Sequence, residues 1–101
     1  MKLEQLLERL EYTCLQGSLD TEVADVVYDS RKVRENSLFL CIRGAVVDGY
    51  SFIPDVVEKG AGVLVVEEEV QAPSHVTVIR VPDTRYAMAC ISAAWFGHPA
   101  R

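Results

Sequence analysis

Three stretches of the chain carry side chains that could do chemistry. Asp29, Ser30 and Arg31 follow directly on a β-branched run at residues 23–28, and ligands of open α/β sheets bind beyond the carboxyl ends of strands. A serine there offers a hydroxyl and a backbone N–H, and an arginine offers a planar fork matched to phosphate oxygens. Asp29 is expected to fix the loop by accepting backbone N–H bonds rather than to touch an anionic ligand. The second stretch overlaps the first: Arg31, Lys32, Arg34 and Arg43 face one acid, Glu35, in a chain of net charge −5. A basic island on an acidic chain suits a local anion site rather than a polyanion track. It equally suits solvated loop residues paired with Asp29 and Asp48. In the third stretch Gly44, Gly49, Tyr50 and Ser51 keep the spacing GxxxxGK[ST] of a Walker A loop, with Tyr50 in the lysine position. Without that cation, and with Asp48 where phosphates would lie, triphosphate binding loses its main charge contribution. What remains is a pair of glycines that let backbone amides approach a nucleotide at the start of the next helix.

No catalytic constellation accompanies these stretches. Ser30 has no histidine near it in sequence, and His75 and His98 fall in a loop and a linker. Glu67, Glu68 and Glu69 read as a solvated charge run, too closely spaced for a general acid–base pair. Cys14, Cys41 and Cys90 are odd in number and form no CxxC pair, so neither a zinc site nor a disulfide framework is expected. Cys41 and Cys90 lie in apolar runs and read as small buried hydrophobes. Catalytic and metal-binding residues are therefore both expected to be absent from this chain.

The elements that must position the three stretches follow from periodicity. Leu3, Leu6, Leu7 and Leu10 share one face of an amphipathic helix over residues 2–10. Brief strands are expected at 12–15 and 23–28. The run at 37–42 is continuously apolar and suits a strand buried on both faces. Residues 44–49 form a loop, and 52–59 a short helix with Ser51 as N-cap, Pro54 in its first turn and Gly60 as its stop. A second buried strand spans 62–67, a surface loop 68–74, and an alternating strand 76–81. Asp83 caps a last helix reaching about residue 96, with Ala87, Ile91, Ala94 and Trp95 on its buried side. Helices interleaved with short apolar strands predict an α/β fold, a single small domain with a mainly parallel sheet and flanking helices.

Bulk properties limit the function classes. At 101 residues and 50% hydrophobic content the chain fits one domain with one real core. The net negative charge argues against general nucleic-acid binding. The leucine-spaced, charged amino terminus does not read as a signal peptide. No apolar run approaches the roughly 20 residues that cross a bilayer. The expected location is cytoplasmic, with reduced thiols and no membrane partner.

Several strings, taken in order, resemble one known family. They are YDSRKV at 28–33, SLFLCIRG at 37–44, Asp48 and Gly49, Phe52-Ile53-Pro54, Lys59-Gly60-Ala61 and Val65-Val66-Glu67. VPDTR at 81–85 and WFGHP at 95–99 follow. Together these resemble the first domain of MurE-type Mur ligases, the UDP-N-acetylmuramoyl-tripeptide synthetases of peptidoglycan assembly. The MurF type shares a similar D-S-R and D-G pattern; Cys41-Ile42-Arg43-Gly44 and Phe52-Ile53-Pro54 favour the MurE type.

The resemblance implies a parent of three domains: an N-terminal one for the UDP part of the substrate, a central P-loop one for ATP and Mg2+, and a C-terminal one for the incoming amino acid. The parent would phosphorylate the D-glutamate carboxylate of UDP-MurNAc-L-Ala-D-Glu, and a diamino acid would attack the acyl phosphate. Residues 1–97 correspond to the UDP-substrate domain and 98–101 to the start of the linker, so the chain alone is expected to be inactive. Ser30 would contact the UDP-sugar, with Tyr28 and the stretch Ala45, Val46 and Val47 flanking the uridine and pyrophosphate. Relatives carry polar residues such as histidine in that second stretch, so backbone and apolar contact is what this sequence leaves there. From the residues alone, a non-catalytic module using the apolar 45–47 loop for a protein partner is the other reading.

Overall fold

The computed structural model describes residues 2–42 and 49–97. Its centre is a pair of strands with no exposed residue. In β3 (Ser37–Leu40) and β4 (Val63–Val66) every residue is buried. Such strands need neighbours on both edges and a layer on both faces. The sheet supplies the edges in the order β1-β5-β4-β3-β2. β2 (Asp25–Val27), β3, β4 and β5 (Thr77–Arg80) are mutually parallel, and β1 (Thr13–Gln16) closes the far side antiparallel to β5.

Alternation along the strands divides the core in two. Leu38, Leu40, Val63, Val65 and Ile79 pack with Leu3, Leu6 and Leu7 of the amino-terminal segment and with Ala87 and Ile91 of α3 (Thr84–Gly97). Phe39, Cys41, Leu64, Val66 and Val78 pack on the other face with Ile53 and Val56 of α2 (Ile53–Glu58). Each fully buried aliphatic or aromatic side chain contributes roughly 1.5–3 kcal/mol. The predicted α/β architecture, mainly parallel with flanking helices, is the one observed.

Three local expectations are corrected. The predicted helix over 2–10 shrinks to α1 (Leu3–Leu6), followed by turns. The backbone N–H groups of Leu3 and Glu4, which no helix satisfies internally, are taken by the carbonyls of Thr21 and Leu19; this docks onto the chain a helix too short to have much stability of its own. Ser51 is not the N-cap of α2. A 3-10 turn, Gly49–Phe52, feeds the helix, and Phe52 occupies the capping position. The strand near 76–81 does not alternate between core and solvent. Thr77, Val78 and Ile79 are all buried, because β1 shields its outer edge and helices cover both faces.

The ends of α2 and α3 follow their sequence signals. Gly60 donates its N–H to Val57 and Ala61 to Val56, the pairing of a Schellman stop, with Gly60 at φ +108°. Asp83 accepts the N–H groups of Arg85 and Tyr86 at the start of α3. Among the described residues no helix is long and apolar enough to cross a membrane.

Gly60 sits hard against the loop before β3, where a Cβ would lie 2.8 Å from the Glu35 Cα. Gly60→Ala therefore meets both a disfavoured φ and a backbone clash, and is expected to cost about 1–3 kcal/mol in urea unfolding. At Gly62 the nearest atom to a Cβ is 3.6 Å away. Gly62→Ala should be clearly milder, and equal losses at the two sites would refute the assignment of strain to Gly60.

Candidate functional site

β2 is three residues long and lies at the sheet edge, with β3 its neighbour. Just past its carboxyl end the backbone enters a 3-10 turn, Ser30–Lys32. Asp29 makes that turn. Its Oδ1 accepts the Arg31 N–H at 2.9 Å, and its carbonyl accepts the Lys32 N–H at 2.9 Å. Asp29 thus fixes the loop through backbone N–H bonds, as its sequence position predicted.

Ser30 lies in this turn with 9% of its surface exposed. Among the described residues its hydroxyl forms no hydrogen bond, while no buried polar side-chain atom lacks one. The hydroxyl therefore keeps contact with solvent although most of the residue is covered. Tyr28, two residues earlier, is 66% exposed. Ala45, Val46 and Val47, together with Arg43 and Asp48, lie outside the described residues.

Two members of the basic island, Arg31 and Arg34, are paired with acids. Arg31 donates from Nε to Asp29 Oδ1 at 3.1 Å and from Nη2 to Asp29 Oδ2 at 2.9 Å. Its side chain is nevertheless 86% exposed. Arg34 Nη2 meets Asp25 Oδ2 at 3.3 Å. Of the two readings open at the sequence level, pairing with Asp29 describes Arg31 in this structure. Exposed pairs of this kind are weakened by solvent and salt. The Arg31 side-chain hydrogen bonds, then its backbone N–H, hold the Asp29 carboxyl at about 2, below the ordinary 3.8.

One contact to the turn has no counterpart in the sequence reading of site residues. Lys59, at the end of α2, donates from Nζ to the Ser30 carbonyl oxygen at 3.0 Å and meets Asp55 Oδ2 at 3.2 Å. The signal available was its place at a helix carboxyl end, where cations are favoured, but nothing in the spacing names Ser30 as its acceptor. Glu67 is corrected as well. It is exposed but not merely solvated, for its Oε2 accepts the N–H and hydroxyl of Thr84 at 2.8 and 2.9 Å and anchors α3 to the end of β4. An open cleft of about 680 Å³ beside it, lined by residues including Tyr12, Glu67, Arg80 and Pro82, contains none of the sequence-predicted site residues.

Comparison with known proteins decides the family. The model of the Mur ligase family, catalytic domain, matches residues 22–96. The chain belongs to the Mur ligase family. It is 41% identical over 99 residues to the UDP-N-acetylmuramoyl-L-alanyl-D-glutamate–2,6-diaminopimelate ligase of Clostridium perfringens, covering 98% of this chain and 20% of that protein. It is 42% identical over 101 residues to the ligase of the same description from Clostridioides difficile, covering 100% of this chain and 21% of that protein. Among solved structures it is similar to MurF from Acinetobacter baumannii, with TM-score 0.76, 27% identity, and coverage of 92% of this chain and 20% of that one. The chain thus spans about one fifth of the length of the curated Mur ligases it matches.

In this Mur ligase domain the Asp29–Arg31 pair sets a pH dependence. Folding lowers the Asp29 pKa, so the pair's contribution is fully present above the ordinary value of 3.8 and is lost as pH falls through about 2. The Asp29 carboxyl carbon should titrate near pH 2 by NMR, and Arg31→Ala, which removes the side-chain bonds but keeps the backbone N–H, should move the midpoint part of the way back up. A midpoint already at the ordinary value in the unaltered chain means that the pair does not form.

Proposed function

We propose that this chain binds the UDP portion of UDP-MurNAc-L-Ala-D-Glu, as the substrate domain of an ATP-dependent amide ligase of peptidoglycan synthesis that adds a diamino acid. The observation carrying the reading is the Ser30 turn, a preorganised corner just past a parallel strand whose hydroxyl has no partner among the described residues. Tyr28 and Arg31 flank it in sequence, and their exposed side chains suit a nucleobase or sugar and a phosphate. Ala45, Val46 and Val47 complete the substrate-binding set by family resemblance. The two named relatives are both 2,6-diaminopimelate ligases, which favours the MurE type. The likeness to MurF rests on lower identity.

This division of labour leaves bond formation to the rest of the parent protein. Among the described residues no group of three or more His, Cys, Asp or Glu is placed to hold a metal ion. ATP and Mg2+ are assigned to the central domain, which supplies the phosphoryl transfer. The residues present here bind and orient the substrate. The central and C-terminal domains are the protein partners, and α3 carries the feature that fits such contact. From Tyr86 to Gly97 it has no charged residue, and Phe96 at its end is 79% exposed. A helix facing only water ordinarily carries charge on that side. The reading carries a cytoplasmic location, with neither nucleic acid nor membrane as a partner.

Addition of UDP-MurNAc-L-Ala-D-Glu should shift the backbone amide signals of residues 28–33. Affinity should be weak, because one domain of three makes only part of the contacts. Ser30→Ala removes one polar contact and should weaken the interaction roughly tenfold. The reading is wrong if the substrate leaves those amides unmoved at millimolar concentration, or if Ser30→Ala binds as well as the unaltered chain.

A further inference from the structure

The turn carrying Ser30 needs more support than β2 gives it. That strand has three residues and lies at the sheet edge. Short edge segments with few neighbours open easily. The added support comes from the corner between α2 and β4, at two points. Lys59 reaches across 29 residues of sequence to the Ser30 carbonyl oxygen, in a partly buried bond of 3.0 Å. The next residue, Gly60, accepts the Asn36 N–H at 2.8 Å and lies against Glu35. Asn36 itself turns the chain at φ 65°. The segment between β2 and β3 is therefore held near both of its ends by consecutive residues of one corner.

The two supports differ in kind. The Gly60 contacts are backbone to backbone and belong to the fold. The Lys59 bond is made by a side chain that is 38% exposed, so it can be removed without opening the core. Arg31 and Arg34 pair with acids of their own stretch of chain. Lys59 instead brings a cation from a separate element to the backbone of the candidate serine.

We infer that Lys59 is a positioning residue of the UDP site, holding the Ser30 carbonyl so that the serine hydroxyl faces the ligand. This rests on the UDP reading above. Asp55, 3.2 Å from the ammonium, steers the lysine toward the turn. A charged donor on a carbonyl forms one of the stronger hydrogen bonds available to a protein, and it restrains the residue whose own hydroxyl has no partner among the described residues.

The test uses the whole 101-residue chain and UDP-MurNAc-L-Ala-D-Glu, titrated with amide NMR as readout. Lys59→Met is expected to weaken binding roughly five- to tenfold while its melting temperature stays within a few degrees of the unaltered chain. Lys59→Arg, which keeps a charged donor, should restore affinity to within about twofold. Lys59→Gln, with a polar uncharged end, serves as the second removal variant should Lys59→Met fail to fold. Unaltered affinity in the folded removal variant, with Ser30→Ala still impaired, overturns the role of the lysine and leaves the UDP reading standing. Loss of affinity that Lys59→Arg does not restore also overturns it. An unaltered chain that shows no response defeats the UDP reading itself, and this inference with it.

Discussion

A strand buried along its whole length cannot lie at a surface, and this chain has two of them side by side. β3 and β4 hold no exposed residue, so each demands strands at its edges and apolar layers above and below. The layers come from different parts of the chain: the amino-terminal leucines and α3 on one face, α2 on the other. Nearly all the freedom left to the molecule is then at its rim. Apart from Ser37 and Thr77 at the starts of β3 and β5, the buried residues of these strands are apolar, and the turns that leave the strands are where exposed chemistry can be placed. The Ser30 turn is a rim position of this sort.

Electrostatics at that rim are more balanced than a count of basic residues suggests. Arg31 and Arg34 each have an aspartate from nearby in sequence, and Lys59 has Asp55 one helical turn away. A pocket built only on free guanidinium groups would attract anions but would also be disordered and indiscriminate. A turn whose cations are held by neighbouring acids is ordered by its own contacts. The same acids keep the surrounding surface from becoming a broad positive field, in keeping with a chain of net charge −5.

The parts of the structure legible in the sequence are those fixed by local pattern. The apolar runs placed β3 and β4, Gly60 and Asp83 marked helix ends, and Asp29 read as a loop-fixing acceptor. What escaped reading depends on partners distant in sequence. Four leucines at helical spacing stay buried or half-buried whether or not the helix continues, so the pattern could not show that α1 ends at Leu6. Ser51 is a good capping residue placed where a 3-10 turn already leads into the helix. Glu67 looks like one of three solvated acids until Thr84, 17 residues later, presents its N–H and hydroxyl. Lys59 likewise finds its acceptor 29 residues away. For the candidate site, spacing supplied the serine and its flanking aspartate, but not the lysine behind them.

The corner at Lys59 and Gly60 shows how closely a small domain must combine support of its fold with support of its site. Gly60 ends α2, turns the chain into β4 and seats the loop before β3, all through its backbone. Lys59 follows the same path but turns its side chain to the Ser30 turn. With one core and short strands there is no spare element to build a separate scaffold around a ligand. The helix that covers one face of the sheet therefore also braces the rim, and its last residues are where the two duties meet. Backbone contacts there act on the fold as a whole, whereas a partly exposed side chain acts on one loop. Selection can then adjust the loop's geometry by changing that side chain, with little disturbance to the two buried strands.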